Sequence, residues 1–325
     1  MGFREESWQQ VKDNITVVGD RLESAVSGQS HIYGALETPS LGDLRARVHQ
    51  SLLPAGKMSV RQIVADVQQL HTNESEAGAL FQVASQFNLL EMASPSLTPE
   101  NGVAIYAQDR TQGPACAVAA GAGTIYRNYF ADVNGHSGQT ADRQIDCLAD
   151  LGAALGNTQE LHWHMRNGYV FATQQGLAAI AIRLGQSSEQ ELDALRALLR
   201  VGIQWQTQVT LGESQHLVSQ VYCSALPVAY NQYPEQAWQA FATLVLEASY
   251  EACVCAAVLN AALHGNSRVY LTLLGGGVFG NAIEWILQAM ERVLVQYSDF
   301  DLDVVIVSYG QSNSHIDQLV ERLKC

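Results

Sequence analysis

Between residues 268 and 290 the chain reads RVYLTLLGGGVFGNAIEWILQAM, an apolar strand pattern running into three glycines and then an amphipathic helix. Such a segment can bind an anion through its backbone. Gly275, Gly276 and Gly277 let the main chain approach a pyrophosphate, and Gly280 permits a second sharp turn around Val278 and Phe279, with Asn281 next in line. The same pattern also builds a tight turn packed under a helix. It is neither a Walker loop, for want of G-K-[ST], nor a G-x-G-x-x-G fingerprint at the start of a domain. A second candidate is the pair Glu247 and Glu251 in LVLEASYEACVCAAVLNAAL, one turn apart on a shared face of an apolar helix. Burying two like charges raises at least one pKa unless donors compensate, a mark of functional sites, although a narrow solvated edge fits equally well. Cys223 with His216 would make a thiol nucleophile and base, but a cysteine inside an apolar strand reads as an inert core thiol. His162 and His164 flank Trp163 without a carboxylate or cysteine at ligand spacing, so no metal and no cofactor is expected.

Composition narrows the partners. Hydrophobic residues make up 47% of the 325 residues and charged residues 15%, enough apolar material for a packed core and too little charge for a disordered chain. The 18 basic and 32 acidic residues leave a net charge of −14 with no basic run, which argues against nucleic acid. An anionic small ligand is still admissible, because helix N-termini and glycine turns need no basic patch. Residues 1–20 lack a secretory pattern, and the apolar stretches around 115–126 and 252–263 read as too short and too rich in alanine and glycine to span a bilayer. Six cysteines without a C-x-x-C pair point to reduced thiols and a cytosolic setting, or the host cytosol for a secreted effector.

These residues need a frame. Residues 1–57 read as a polar helical extension, with SLGDLRARVHQSLL at 40–53 helical behind a serine cap. From 58 to 325 short apolar runs alternate with helices, the signature of an α/β sheet. RQIVADV, ALFQVASQF, WQTQVTL, HLVSQVYCSALPVAY, VYLTLL and DVVIVSY read as strands; a glycine-bearing helix begins near Pro114, and a long one covers 235–263. Residues 131–200, with QTADRQIDCLADLGAALG and SSEQELDALRALLR, read as a mostly helical insertion.

Four segments occur in an order that resembles the ADP-ribose-binding macrodomains: VADVQQL, LFQVASQFNLLEM, DRTQGPACAVAAGAGTIYRNY and LLGGGVFGN, with QVTLGESQHLVSQVYCSALPVAY as paired strands before the last. The resemblance covers about 60–130 and 205–310. It implies a three-layer α-β-α mixed sheet, with Asp66 taking the adenine amino group and Gln86 and Asn88 standing near the distal ribose. Thr111, Gln112 and Gly113 would form the first loop. The backbone of Gly276 to Gly280 would wrap the diphosphate, with Phe279 against the distal ribose. One Gly-Pro replaces the usual glycine run, and Gln86 and Asn88 replace the usual N-A-A-N. The strings FQVASQFNLLEM, TQGPACAVAAGAGTIYRNYF and LTLLGGGVFGN are similar to a divergent macrodomain group, the MavL-type ubiquitin ADP-ribosyl hydrolases, which implies ADP-ribosylated ubiquitin as a partner.

Hydrolysis at the distal ribose passes through an oxocarbenium-like state, for which a carboxylate is the natural tool. Asp109, just ahead of the first loop, is the first choice for the water or ribose contact, though it is equally placed to cap the following helix. Arg127 and Asn128 could hold a phosphate, orient a carboxylate or serve the insertion structurally. Ser308 and Tyr309 end the last strand, where an open sheet presents residues to its ligand, and Tyr309 is placed to flank the adenine. The leading expectation is an ADP-ribosyl hydrolase. A non-catalytic ADP-ribose reader and a helical interaction scaffold are the alternatives.

Overall fold

The computed structural model describes residues 1–51 and 56–324. The chain opens with α1 (Trp8–Asn14), β1 (Ile15–Val18), β2 (Arg21–Ser24), β3 (Ser30–Ile32), β4 (Ala35–Glu37) and α2 (Leu41–Gln50). The core begins with β5 (Ser59–Val64), α3 (Val67–Thr72), β6 (Leu80–Ala84), α4 (Gln112–Ala119) and α5 (Gly121–Tyr129). Then come β7 (Asp132–Val133), β8 (His136–Ser137), α6 (Ala149–Leu155), β9 (Trp163–Arg166), β10 (Tyr169–Ala172), α7 (Gln174–Gln186) and α8 (Glu189–Arg196). The chain closes with β11 (Gly202–Gln208), β12 (Leu217–Cys223), α9 (Glu235–His264), β13 (Arg268–Leu271), α10 (Ile283–Gln296), β14 (Asp303–Ser308) and α11 (Ser314–Lys324).

Seven strands form the main sheet in the order β4-β11-β12-β6-β13-β14-β5. The last five in that order are mutually parallel, and β11 is antiparallel to both its neighbours. The pleat sends alternate side chains to opposite faces. On β12, Gln220 and Tyr222 reach the Cys116 carbonyl of α4 and Arg127 of α5, whereas Cys223 faces the Ser249 carbonyl of α9. The result is the expected three-layer α-β-α arrangement with a mixed sheet, and the core strands are buried on both sides.

Two stretches differ from the sequence reading. The 1–57 segment is not simply helical. α2 begins behind a Ser40–Asp43 capping box, as expected, while Leu52 and Leu53 of that predicted helix lie outside the described residues. Ahead of it, however, β1, β2 and β3 form an antiparallel sheet, and β4 extends the main sheet along β11. β1 and β2 are joined by the two-residue turn Gly19-Asp20, with Gly19 at φ 59°. The 131–200 insertion is likewise mixed. Of 139–156 only Ala149–Leu155 is helical, and two hairpins turn on Asn134-Gly135 and Asn167-Gly168. Their φ values of 54° and 79°, and 48° and 76°, are what a type I′ turn demands of both central residues.

Helix α9 also corrects an expectation. It joins the apolar stretch at 252–263 into a 30-residue helix that is long and apolar enough, by length and composition alone, to cross a membrane. Its most apolar window is buried against the sheet and α10.

Glu247 and Glu251 on α9 serve this packing. Glu251 is fully buried and accepts from Arg45 Nε at 2.6 Å and Nη2 at 2.8 Å, from Arg292 Nη1 at 3.1 Å and from the Tyr297 hydroxyl at 3.1 Å. Arg45 also holds Asp193 at 2.8 Å, while Glu247 takes Arg196 Nε at 2.6 Å. The network ties the N-terminal segment, the insertion and two core helices together. Burial alone would raise the Glu251 pKa, but the Arg45 and Arg292 guanidinia outweigh it and hold the carboxyl below the ordinary 4.5.

Glu251→Gln should therefore lower unfolding free energy by about 2–3 kcal/mol near neutrality, within the range for hydrogen bonds to charged groups. A group with a depressed folded pKa stabilises above its unfolded value and loses that contribution as pH falls. Parent and variant denaturation midpoints should thus converge as the pH drops below 4.5. Equal midpoints at pH 7 would show that the network adds nothing to stability.

Candidate active site

A cavity of about 870 Å³ opens at the carboxyl ends of the five parallel strands. Residues 65–68 after β5, 84–86 at the end of β6, Ala225 after β12, 272–275 after β13 and the end of β14 all reach its wall. This edge is where an open α/β sheet receives a ligand, because the chain leaves each strand there in loops free to diverge.

The glycine loop after β13 leaves part of its backbone unpaired. Gly276 N–H donates to Leu273 O at 3.0 Å and Gly280 N–H to Gly277 O at 3.0 Å. The N–H groups of Gly277, Val278 and Phe279 have no acceptor among the described residues. Gly275 and Gly280 sit at φ 74° and 70° and press on Ala225 and Ala229, so both positions need glycine. Gly277 is different. A Cβ there would meet open space, and its φ lies outside the left-handed region.

Among the other lining residues, Asp66 caps α3 by accepting from Gln68 N–H at 2.8 Å, and Tyr309 is 74% exposed. Gln112 lines the floor, its amide bridging Ala84 N–H at 2.8 Å and Gln82 O at 2.7 Å. Asp109 is half-buried at the mouth, where its Oδ1 accepts from Thr111 N–H at 2.8 Å and Thr111 Oγ1 at 2.7 Å. Gln86, Thr111, Gly113, Gly275, Gly277, Val278, Phe279 and Ser308 complete the sequence-derived residues that the fold brings to this cavity.

Other candidates are placed elsewhere. Glu247 and Glu251 lie in the α9 network and do not line the cavity. Asn88 is held by Gln144 at 2.8 Å and Leu90 N–H at 3.1 Å, beneath the β9–β10 turn. Asn281 braces the glycine loop by donating to Leu226 O at 2.8 Å, and Gly276 and Gly280 shape that loop without facing the cavity. Cys223 is buried and does not line the cavity, and burial pushes its thiol up to about 12, in keeping with a core cysteine. Among the described residues no group of three His, Cys, Asp or Glu is placed to hold a metal.

Arg127 does not line the cavity. It is fully buried, donates through Nε to Leu89 O at 2.9 Å and through Nη2 to both oxygens of Glu91 at 3.1 Å, and also donates to the Tyr222 hydroxyl. Asn128 is likewise buried and donates to Pro99 O at 3.0 Å. Glu91 was not among the sequence-derived candidates, although it lines the cavity and is only 2% exposed. Burial pushes its carboxyl up to about 7 against the pull of Arg127. Its signal in the sequence is a lone acidic residue in the apolar run FNLLEM, with one arginine in TIYRNYF to pair it.

The cavity also has an aromatic side absent from the sequence reading. Tyr169 of β10 and Tyr230 flank Phe279, with ring centroids 5.4 and 5.6 Å from it. Tyr169 donates to Met92 O at 2.6 Å; burial first, then Tyr230 and Asp109, raise its hydroxyl pKa. The insertion thus contributes directly to the site.

No protein-family model matches the chain, and no curated protein matches it. Among solved structures it is similar to the poly(ADP-ribose) glycohydrolase of Deinococcus radiodurans in complex with ADP-ribose, at 11% identity and a TM-score of 0.47, over 98% of this chain and 95% of that one. It is also similar to the poly(ADP-ribose) glycohydrolase of Thermomonospora curvata, at 10% identity and a TM-score of 0.47, over 97% and 95%. The same protein bound to the inhibitor ADP-HPD gives 12% identity and a TM-score of 0.46, over 97% and 95%.

The buried pair makes a stability prediction. Arg127→Leu removes the donors to Leu89 O, Tyr222 and Glu91 and forces the buried carboxyl to take up a proton, so it should cost about 3 kcal/mol in denaturant unfolding, whereas adding Glu91→Leu should recover a substantial part. Additive losses in the double variant would show that the two side chains do not act as a pair.

Proposed function

We propose that the chain binds ADP-ribose in this cavity and hydrolyses its linkage to a modified protein. One observation carries the reading: a loop with three unused N–H groups, a cap carboxylate, Asp66, and a second carboxylate, Asp109, all line a single cavity. The first is a receptor for a diphosphate that needs no basic side chain, which suits a protein of net charge −14. Asp66 fits an exocyclic amine, and exposed Tyr309 offers a face for a purine. A volume of about 870 Å³ lies in the usual range for ligand sites and leaves room for a nucleotide and a second sugar.

The distal ribose then falls between the aromatic side and the acidic residues, where Asp109 meets the ribose or its water. Water is needed at one face of the anomeric carbon while the protein-bound atom leaves from the other. For the macromolecular partner, ADP-ribosylated ubiquitin is the finer assignment, supported by the sequence resemblance and by the attraction of an acidic enzyme for a basic surface. The five described cysteines are unpaired, which fits a cytosolic setting.

Titration calorimetry with free ADP-ribose tests the ligand first. Gly277→Glu should abolish binding while leaving the melting temperature near that of the parent, because the new side chain enters open space and brings its charge to the loop amides. Binding equal to the parent's would remove the loop from the site. Asp109→Ala should lower release of ADP-ribose from a modified protein by about 10²-fold or more with a much smaller loss of affinity. A parent that binds ADP-ribose but releases none from several linkages would instead be a reader.

A further inference from the structure

We propose that the rim of the cavity is a docking surface for the modified protein and that Arg110 on this rim selects a carboxylate side chain next to the modified residue. The inference rests on the reading above and adds to it the chemistry of the macromolecular partner. A protein still joined to an ADP-ribose held in the cavity has to sit on the mouth, so the groups exposed there meet it first. Apart from Tyr309, which that reading gives to the purine, the exposed residues lining the cavity are Ala93, Ala107, Arg110, Thr111, Gly277 and Val278. None is acidic, in a chain with 32 acidic residues against 18 basic. Val278 is 62% exposed, in the turn closed by the Gly280 N–H bond to Gly277 O. An open apolar side chain beside an arginine, without aspartate, glutamate or lysine, is the composition of a contact zone between proteins.

Arg110 differs from the arginines that build the fold. Arg45, Arg127, Arg196, Arg268 and Arg292 each hold one or more carboxylates. Arg110 is exposed and has no hydrogen bond or ion pair among the described residues, and it is the one cation among the described residues that line the cavity. Its place in the chain is nevertheless fixed. Asp109 Oδ1 on one side accepts from the N–H and the hydroxyl of Thr111 on the other, at 2.8 and 2.7 Å. That turn engages Asp109 with Thr111 and leaves the guanidinium for a group from outside the chain. In the reading above the loop N–H groups take the diphosphate, so the anion left for Arg110 is one on the partner. A planar guanidinium meets a carboxylate through two parallel hydrogen bonds, which sets direction as well as charge.

Approach and contact then ask for different charges. The net charge of −14 acts on the whole incoming molecule and favours a basic one. Contact at the mouth is set by one cation and one open apolar side chain. The partner that fits both is basic overall and acidic beside the modified residue. A rim charge of this kind suppresses wrong partners and fixes register more than it adds affinity, because a like charge brought against it is repelled.

The test uses two ADP-ribosylated peptides that differ only in the residues flanking the modified one, glutamate in one and lysine in the other, prepared with a linkage the parent cleaves. The full chain should turn over the glutamate peptide with a KM about tenfold lower and a similar kcat. Arg110→Ala should erase that preference, Arg110→Glu should reverse it, and Val278→Ser should raise KM for both peptides alike. Free ADP-ribose carries no flanking residue, so calorimetry should give both Arg110 variants an affinity within about threefold of the parent's, which also shows that they fold. Equal KM values for the two peptides with the parent, or a glutamate preference that survives Arg110→Glu, overturns this inference alone. So does a loss of free ADP-ribose affinity beyond about tenfold in Arg110→Ala, which would move Arg110 into the nucleotide site. A parent that binds ADP-ribose and cleaves no linkage overturns the hydrolase reading, and the affinities of the same two peptides, measured by calorimetry, then decide the docking inference. A parent that binds no ADP-ribose overturns both.

Discussion

A guanidinium with no access to water must find all its partners inside the protein, and Arg127 is such a group. Its donors go to Leu89 O, Tyr222, Glu91 and Thr124, and its plane lies 3.7 Å from the Tyr222 ring centroid. Those contacts join α5 to the segment after β6 and to β12, so the helix behind the first loop cannot shift without exposing an unpaired charge. From Tyr222 the polar chain continues to Gln220, which reaches both the Cys116 carbonyl and His71 of α3. His71 bonds in turn to Val67 O at 2.7 Å, one residue from Asp66. A single buried network thus runs from Glu91 to the start of α3. Such networks are costly when partly satisfied and rigidifying when complete.

The cavity follows from the sheet. Parallel strands place their carboxyl ends together, and the loops that leave them must diverge to reach helices on opposite faces. A strongly acidic chain can still receive an anion there, because the local field of oriented amides acts over a few ångströms while the net charge is screened over about a Debye length.

The two buried carboxylates show how environment sets the direction of a pKa shift. Glu251 meets two arginines, a tyrosine and a glutamine, so its charge is over-compensated and its pKa falls. Glu91 meets one arginine in a drier site beside a cavity, and its pKa rises. Both were hidden in apolar runs of the chain. Only the number and placement of their cations distinguishes them.

The core strands, the long α9 helix, the strand-glycine-helix segment and the expectation of a three-layer sheet were legible in the sequence because hydrophobic period and turn chemistry are local properties. The small hairpins were legible too. Gly19-Asp20, Asn134-Gly135 and Asn167-Gly168 are ordinary two-residue turn signals, overridden in the reading by the helical periodicity around them. What the tertiary structure decided is which polar side chains face the cavity and which are consumed by packing. Arg127 turned inward, Asn88 was covered by the insertion, Glu247 and Glu251 became a structural network, and Glu91 and Tyr169 came to the site from segments 78 residues apart. A side chain's partners are set by which distant element packs against it, and sequence spacing carries no record of that choice.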